Sequence, residues 1–122
     1  MSNSSLVRIE VIRGVTVVSI TKPGFSVTED VMDQVSHLLL GDSLGDDSPV
    51  LMDLTNVEFF GSSFIEVMFR IWNKRKSKGE HAFGICGLTV DCRQILEVTN
   101  LTSVWDVYDT REEALKTMSP DA

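Results

Sequence analysis

The short run at residues 50–54 places the strongest constraint on the fold of this chain. Its sequence, VLMDL, is apolar apart from Asp53. A strand of that composition suits a position buried on both faces of a sheet, which occurs mainly in parallel sheets covered by helices. A helix-like apolar periodicity follows over about residues 63–77. The run therefore predicts an α/β fold with a buried central strand.

The rest of the chain adds elements of both kinds around that strand. Val7–Ile12 alternates apolar and charged residues and Val15–Ile20 is rich in β-branched residues, which together predict an N-terminal hairpin. The further predicted elements are a helix behind the capping-box pattern Ser26-x-x-Glu29 that ends at Gly41, a strand over residues 82–86, a helix capped by Thr89, a strand over residues 104–108 and a helix behind Thr110-x-x-Glu113.

This order, β-β-α-β-α-β-α-β-α, predicts a single α/β domain over residues 1–122, with its core at about residues 7–118. Strands that are joined through helices run parallel with right-handed crossovers, whereas the hairpin adds one antiparallel strand at an edge. We expect a mixed, mostly parallel sheet of about five strands, packed with about four α-helices.

Composition and charge argue against several classes of function. The net charge of −7 makes a nucleic-acid partner unfavourable. The sequence has neither an apolar run of transmembrane length nor a signal peptide at its polar start. Cys86 and Cys92 lack the spacing of a redox pair or a zinc site, so a reducing, cytoplasmic location is expected. His37 and His81 have no sequence-linked nucleophile, and no phosphate-binding glycine motif occurs. We expect no enzyme activity, cofactor, metal site or membrane insertion.

Two serines, Ser62 and Ser63, stand where the second helix is predicted to begin. The first turn of a helix leaves backbone N–H groups without partners and carries a partial positive charge. Ser63-x-x-Glu66 fits a capping box, in which the serine only completes the helix. Alternatively, a serine displayed there can accept a phosphate that the helix N-terminus stabilises. The residues alone leave both interpretations open.

The order of elements and the residues of the central region resemble the STAS domain (sulfate transporter and anti-sigma factor antagonist). The resemblance spans residues 7–115 and rests on segments 51–54, 57–59, 62–63, 79, 86–88, 100–101 and 113–115. In the anti-sigma antagonist branch, the first serine of the motif Asp-Ser-Ser-Gly-Leu-Gly is phosphorylated by a partner kinase that is itself the anti-sigma factor, and phosphorylation breaks that complex. The resemblance implies Ser62 as the phosphate acceptor, with Ser63 as the less favoured neighbour.

The serine motif is only partly kept in this chain. Gly61 stands where the antagonist branch has Asp, and Phe64 and Glu66 replace its two glycines. The resemblance implies a regulator that binds a serine kinase of the histidine-kinase-like ATPase class. The departures favour two alternatives, an unphosphorylated STAS subunit of a transport complex such as a phospholipid ABC transporter, or a scaffold unit of a signalling assembly. The predicted partner-binding residues are Gly61, Ser62, Ser63, Phe64, Glu66 and Val67.

Overall fold

The computed structural model describes residues 6–41, 44, 48–79 and 81–119. That part of the chain contains, in order, β1 (Val7–Ile12), β2 (Val15–Ile20), β3 (Phe25–Val27), α1 (Glu29–Leu40), β4 (Val50–Asp53), β5 (Val57–Phe60), α2 (Ser62–Arg75), β6 (Phe83–Cys86), α3 (Val90–Val98), β7 (Asp106–Tyr108) and α4 (Arg111–Met118). A single 3₁₀ turn, Leu101–Ser103, connects α3 to β7. Most of the predicted acidic loop after Gly41 lies outside the described residues.

The main sheet has five strands in the order β1-β2-β4-β6-β7. β1 is antiparallel to β2, and the other neighbouring strands run parallel. The predicted mixed sheet, with one antiparallel strand at its edge, is therefore confirmed. Each crossover from β2 to β4 and from β4 to β6 passes through a helix, as parallel pairing requires.

Two strands were missed by the sequence analysis. β3 and β5 form a separate two-stranded parallel sheet. They have only three and four residues, and neither shows a regular apolar alternation. The capping box predicted at Ser26 is wrong because Ser26 belongs to one of these strands. It lies in β3 opposite Phe59, and α1 begins only at Glu29.

The core lies on both faces of the main sheet. One face packs against α1, α2 and α3, and includes Val50 and Met52. The other face includes Leu51 and packs against α4. All four residues of β4 are buried, which confirms the double-sided burial predicted from their composition. The caps predicted at Thr89 and Thr110 are also confirmed, since each hydroxyl accepts a backbone N–H of its helix at 3.2 Å.

A partly buried charge pair connects α4 to the sheet. Asp53, at the end of β4, is 7% exposed. Its carboxylate accepts a hydrogen bond from Arg111 Nε at 2.8 Å and others from the backbone and hydroxyl of Thr55. Burial alone would raise the pKa of Asp53, but the bonds from Thr55 and Arg111 outweigh it and hold the pKa below the usual value of an aspartate. The ionised carboxylate is therefore stabilised by folding.

The free energy of unfolding of the Asp53→Asn variant is expected to be about 1–3 kcal/mol lower than that of wild type at neutral pH, because charge-assisted hydrogen bonds are lost. Since the folded-state pKa of Asp53 is depressed, its contribution is complete above the unfolded value and disappears as pH falls through the folded-state pKa. Urea unfolding of both proteins across acid pH measures this difference. A difference that stays constant down to the lowest pH at which wild type folds would contradict the assignment.

Candidate functional site

The small sheet places the N-termini of two helices side by side. β3 and β5 are parallel neighbours, and each leads within two residues into a helix, α1 and α2 respectively. Because the two strands run in the same direction, both helices begin at the same end of the small sheet. Their first turns are in contact, since Ser63 Oγ donates a hydrogen bond to Glu29 Oε1 at 2.7 Å. The serine pair predicted from sequence lies at this junction.

Ser63 does not cap its helix. Gly61 is the N-cap of α2, in an extended conformation and with no side-chain cap. The hydroxyl of Ser63 reaches across to α1, and Glu66 forms an ion pair with Arg70, four residues further along, at 2.8 Å. The capping box predicted for Ser63 and Glu66 is therefore wrong, because both side chains have other partners.

Ser62 is the first residue of α2 and is exposed. Its hydroxyl makes no hydrogen bond within the part of the chain that the structure describes. The first backbone hydrogen bond of α2 runs from Ile65 N to Gly61 O at 3.3 Å. The N–H groups that precede Ile65 in α2 therefore take no part in the i→i−4 hydrogen bonds of the helix. Ser62 therefore presents a free hydroxyl beside the positive end of the α2 dipole.

The charges around Ser62 differ from those that the sequence suggested. The carboxylate of Asp53, which precedes the serine pair in the sequence, contacts Arg111 and lies on the α4 side of the sheet. Glu66 is partly neutralised by Arg70. Glu29 takes its place as the acidic neighbour of the serine pair. Negative charge added at Ser62 would thus be attracted by the N-terminus of the α2 dipole and repelled by the Glu29 carboxylate.

Two residues of the predicted docking surface are part of the core. Phe64 is fully buried, with its ring centroid 5.4 Å from that of Phe60, and Val67 is buried as well. The prediction that they are exposed is wrong, because α2 packs on the sheet through its Phe64 side. The exposed aromatic residues nearest in sequence are Phe59, at 47% exposure, and Phe69, at 44%.

Three other kinds of site find no support among the described residues. No group of three or more His, Cys, Asp or Glu side chains in the described ranges is arranged to hold a metal ion. Cys86 and Cys92 are buried free thiols, and burial raises the pKa of Cys86 to about 12. Within those same ranges, no helix has the length and apolar character needed to cross a membrane.

A family model that describes the STAS domain matches residues 7–114. The chain belongs to the STAS domain family. This finding confirms the resemblance seen in the sequence and covers all the strands and helices except the last half of α4. Among curated protein sequences, none matches this STAS domain significantly.

Solved structures agree with that assignment. An anti-sigma-factor antagonist (STAS) domain protein from Planctomyces limnophilus is 33% identical, with a TM-score of 0.82 over 95% of this chain and 99% of its own. An anti-sigma factor antagonist from Mycobacterium paratuberculosis is 23% identical, with a TM-score of 0.74 over 92% of each chain. A sulfate transporter family protein from Wolinella succinogenes is 16% identical, with a TM-score of 0.67 over 89% of this chain and 88% of its own. The last two likenesses concern the fold alone.

Sequence reasoning missed the contact of Glu29 with the serine pair and the exposed strand position of Phe59. Glu29 was interpreted as the cap partner of Ser26, and its contact with Ser63 joins residues 34 positions apart. Phe59 was placed in a connection, whereas it lies in β5 with an exposed ring. The mixed charge and apolar content of residues 57–60 was the available signal for a short strand with an exposed side.

Proposed function

We propose that this STAS domain is a non-enzymatic, cytoplasmic regulator that binds a protein partner and is switched by phosphorylation at Ser62. The observation that carries the proposal is the exposed, unbonded hydroxyl of Ser62 at the uncapped start of α2. The 33% identical Planctomyces protein, named as an anti-sigma-factor antagonist, supports the regulatory class. The partner we infer is a serine kinase of the histidine-kinase-like ATPase class that is itself an anti-sigma factor.

The geometry distinguishes the two serines chemically. A kinase needs an accessible hydroxyl, and Ser62 offers one, whereas the hydroxyl of Ser63 is engaged with Glu29. A phosphate on Ser62 adds about −1.5 to −2 charges at pH 7. The helix N-terminus attracts that charge and Glu29 repels it, so the phosphate gains little net stabilisation within the domain. The added charge therefore acts mainly on the partner that binds at this surface.

The docking surface that we propose comprises Gly61, Ser62, Ser63 and Glu66, together with the exposed ring of Phe59. Phe64 and Val67 support it from the core. A polar helix start together with an exposed aromatic ring suits a reversible protein contact, because aromatic anchors dominate many interface energies. Unpaired negative charge introduced there would be buried on binding without a partner, which commonly releases a complex of moderate affinity.

Ser62→Asp is expected to weaken partner binding about tenfold or more, while Ser62→Ala keeps it within about twofold. The partner is first captured from native cells with the Ser62→Ala protein and identified by mass spectrometry. Isothermal titration then compares the variants with purified partner. Ser77→Asp is the matched control, since Ser77 is exposed beyond the other end of α2. Equal affinity for the Ser62→Asp, Ser62→Ala and Ser77→Asp proteins would contradict the switch.

Phosphate occupancy gives an independent test. Intact-mass measurement of the protein from its native cells is expected to show one phosphate on wild type and on Ser63→Ala, and none on Ser62→Ala. Phosphate on Ser62→Ala but not on Ser63→Ala would transfer the switch to Ser63. Recovery of transporter subunits as partners, with no phosphate on any variant, would favour the transport-subunit alternative, which Gly61 and Phe64 in place of the motif residues already favour.

A further inference from the structure

A polar pocket on the α4 side of the main sheet takes no part in the proposed switch. It has a volume of about 300 Å³, and its lining includes Arg8, Ser19, Asp53, Asn56 and Arg111. That volume is at the lower end of the range for ligand pockets, about 300–1,000 Å³. The pocket lies where β2 and β4 end, and open α/β sheets commonly bind ligands outside the carboxyl ends of their strands. Its size and place therefore suit a small ligand.

The register of the sheet explains why these side chains meet. Arg8 of β1 pairs with Ser19 of β2, and Ser19 in turn pairs with Asp53 of β4. Residues that pair across neighbouring strands direct their side chains to the same face, so the three form a row with Ser19 in the middle. Arg111, at the start of α4, bonds to Asp53 and brings a second guanidinium to that face. The row therefore has an arginine side chain at each end.

Hydrogen-bond donors of this row are left for a ligand. Arg8 is exposed, and its guanidinium forms no hydrogen bond or ion pair with any described residue. The hydroxyl of the half-buried Ser19 is also without a hydrogen bond among those residues. Arg111 donates its Nε–H to Asp53 at 2.8 Å, whereas its Nη1 lies 3.9 Å from Glu10 Oε2, which is too far for a hydrogen bond. Both guanidinium groups can therefore donate to a molecule in the pocket.

The charges of the pocket favour an anionic ligand. Its lining contains two positive side chains, Arg8 and Arg111, and one negative side chain, Asp53. The Asp53 carboxylate is already bonded to Arg111 and to the backbone and hydroxyl of Thr55. Glu10 forms its longer ion pair with Arg111 from outside the set of lining residues. The lining thus has an excess of one positive charge, although the chain as a whole has a net charge of −7.

We propose that this pocket binds a small ligand through one oxyanion group, a carboxylate or a phosphate, held between the guanidinium groups of Arg8 and Arg111. Guanidinium N–H groups match the oxygens of either anion in pairs, and such charge-assisted hydrogen bonds are stronger than neutral ones. The Ser19 hydroxyl donates a further hydrogen bond to the anion. The pocket lies on the opposite face of the sheet from α2, so it goes beyond the proposed function and does not depend on phosphorylation of Ser62.

NMR titration of the full ¹⁵N-labelled chain with inorganic phosphate or with acetate tests the site, and sodium chloride at matched ionic strength is the reference. We expect saturable shifts of the backbone amides of Ser19, Asn56 and Arg111 with at least one of the two anions. Saturation with phosphate alone identifies a phosphate group as the ligand's anion, saturation with acetate alone identifies a carboxylate, and saturation with both shows that either is accepted. Shifts that equal those in sodium chloride, or saturable shifts centred elsewhere, overturn the proposal.

Arg8→Gln removes one guanidinium and is expected to raise the dissociation constant of the anion about tenfold or more, because hydrogen bonds to a charged group are lost. Arg70→Gln is the matched control, since Arg70 is an exposed arginine of α2 that pairs with Glu66. We expect its affinity to stay within about twofold of wild type. Wild-type affinity in the Arg8→Gln protein, or equal losses in both variants, contradicts the site.

Ser19→Ala is a second variant, used in place of Arg8→Gln if that protein loses its circular dichroism signal. It removes one hydroxyl from the middle of the row and is expected to raise the dissociation constant about threefold or more. An unchanged dissociation constant in the Ser19→Ala protein counts against the proposed binding mode.

Discussion

Phe64→Ala is expected to lower the free energy of unfolding by about 3–5 kcal/mol, as truncation of a buried aromatic side chain does. Phe64 is fully buried at the start of α2, and its ring packs against Phe60 of β5. Its removal leaves a cavity at the place where the small sheet, the main sheet and α2 meet. Urea unfolding followed by circular dichroism measures the loss.

Phe69→Ala is the matched control for that substitution, because it removes the same ring from the same helix. Phe69 is 44% exposed and contacts Trp72 at a ring distance of 5.1 Å. We expect its variant to stay within about 1 kcal/mol of wild type, as surface substitutions usually do. Equal losses at the two positions would mean that Phe64 is not the core residue described above. A large loss at Phe64 alone also means that its variants cannot serve as tests of partner binding.

Gly87→Ala is expected to destabilise the domain by about 2–5 kcal/mol through two separate costs. Gly87 follows β6 with a φ of 75°, which L-residues adopt only with strain. A Cβ at this position would lie 2.2 Å from Thr55 Oγ1 and 2.9 Å from Thr55 N. Thr55 cannot move away easily, because its backbone and hydroxyl are bound to Asp53. Thermal and urea unfolding measure the combined loss.

Gly24→Ala separates the two costs. Gly24 has a similar φ of 65°, but the nearest atom to its added Cβ is 4.0 Å away. Its variant therefore incurs the conformational strain of about 1–2 kcal/mol without the steric contact. Losses of equal size in the Gly87 and Gly24 variants would show that the strand end at Gly87 relaxes freely. The larger loss at Gly87 identifies the approach of β6 to Thr55 as rigid.

The two largest effects come from positions that the sequence described very differently. Gly87 belonged to the segment that supported the family resemblance, and the structure gives it a physical role in packing against Thr55. Phe64 was predicted to belong to the partner-binding surface, on an exposed side of the second helix. A helical apolar pattern shows which residues are apolar, but α2 has apolar residues around much of its circumference. Only contact with the sheet decides which of them are buried.

The sequence by itself determined the fold class, the order along the chain of the five main-sheet strands and four helices, and the position of the serine pair. These features depend on local patterns, such as the apolar run of β4, the caps at Thr89 and Thr110, and the alternation in β1. Each pattern is encoded within a few neighbouring residues, so it can be interpreted without knowing the rest of the chain.

The tertiary structure alone decided which side chains meet. The pairing of β3 with β5, the bond from Ser63 to Glu29 and the pair Asp53–Arg111 each join residues more than 30 positions apart. A long-range contact of this kind overrides a local preference at Ser63: the residue fits a capping box with Glu66, but its hydroxyl donates to the Glu29 carboxylate instead. A side chain takes the partner that folding brings to it, and the sequence pattern shows only the partners available nearby.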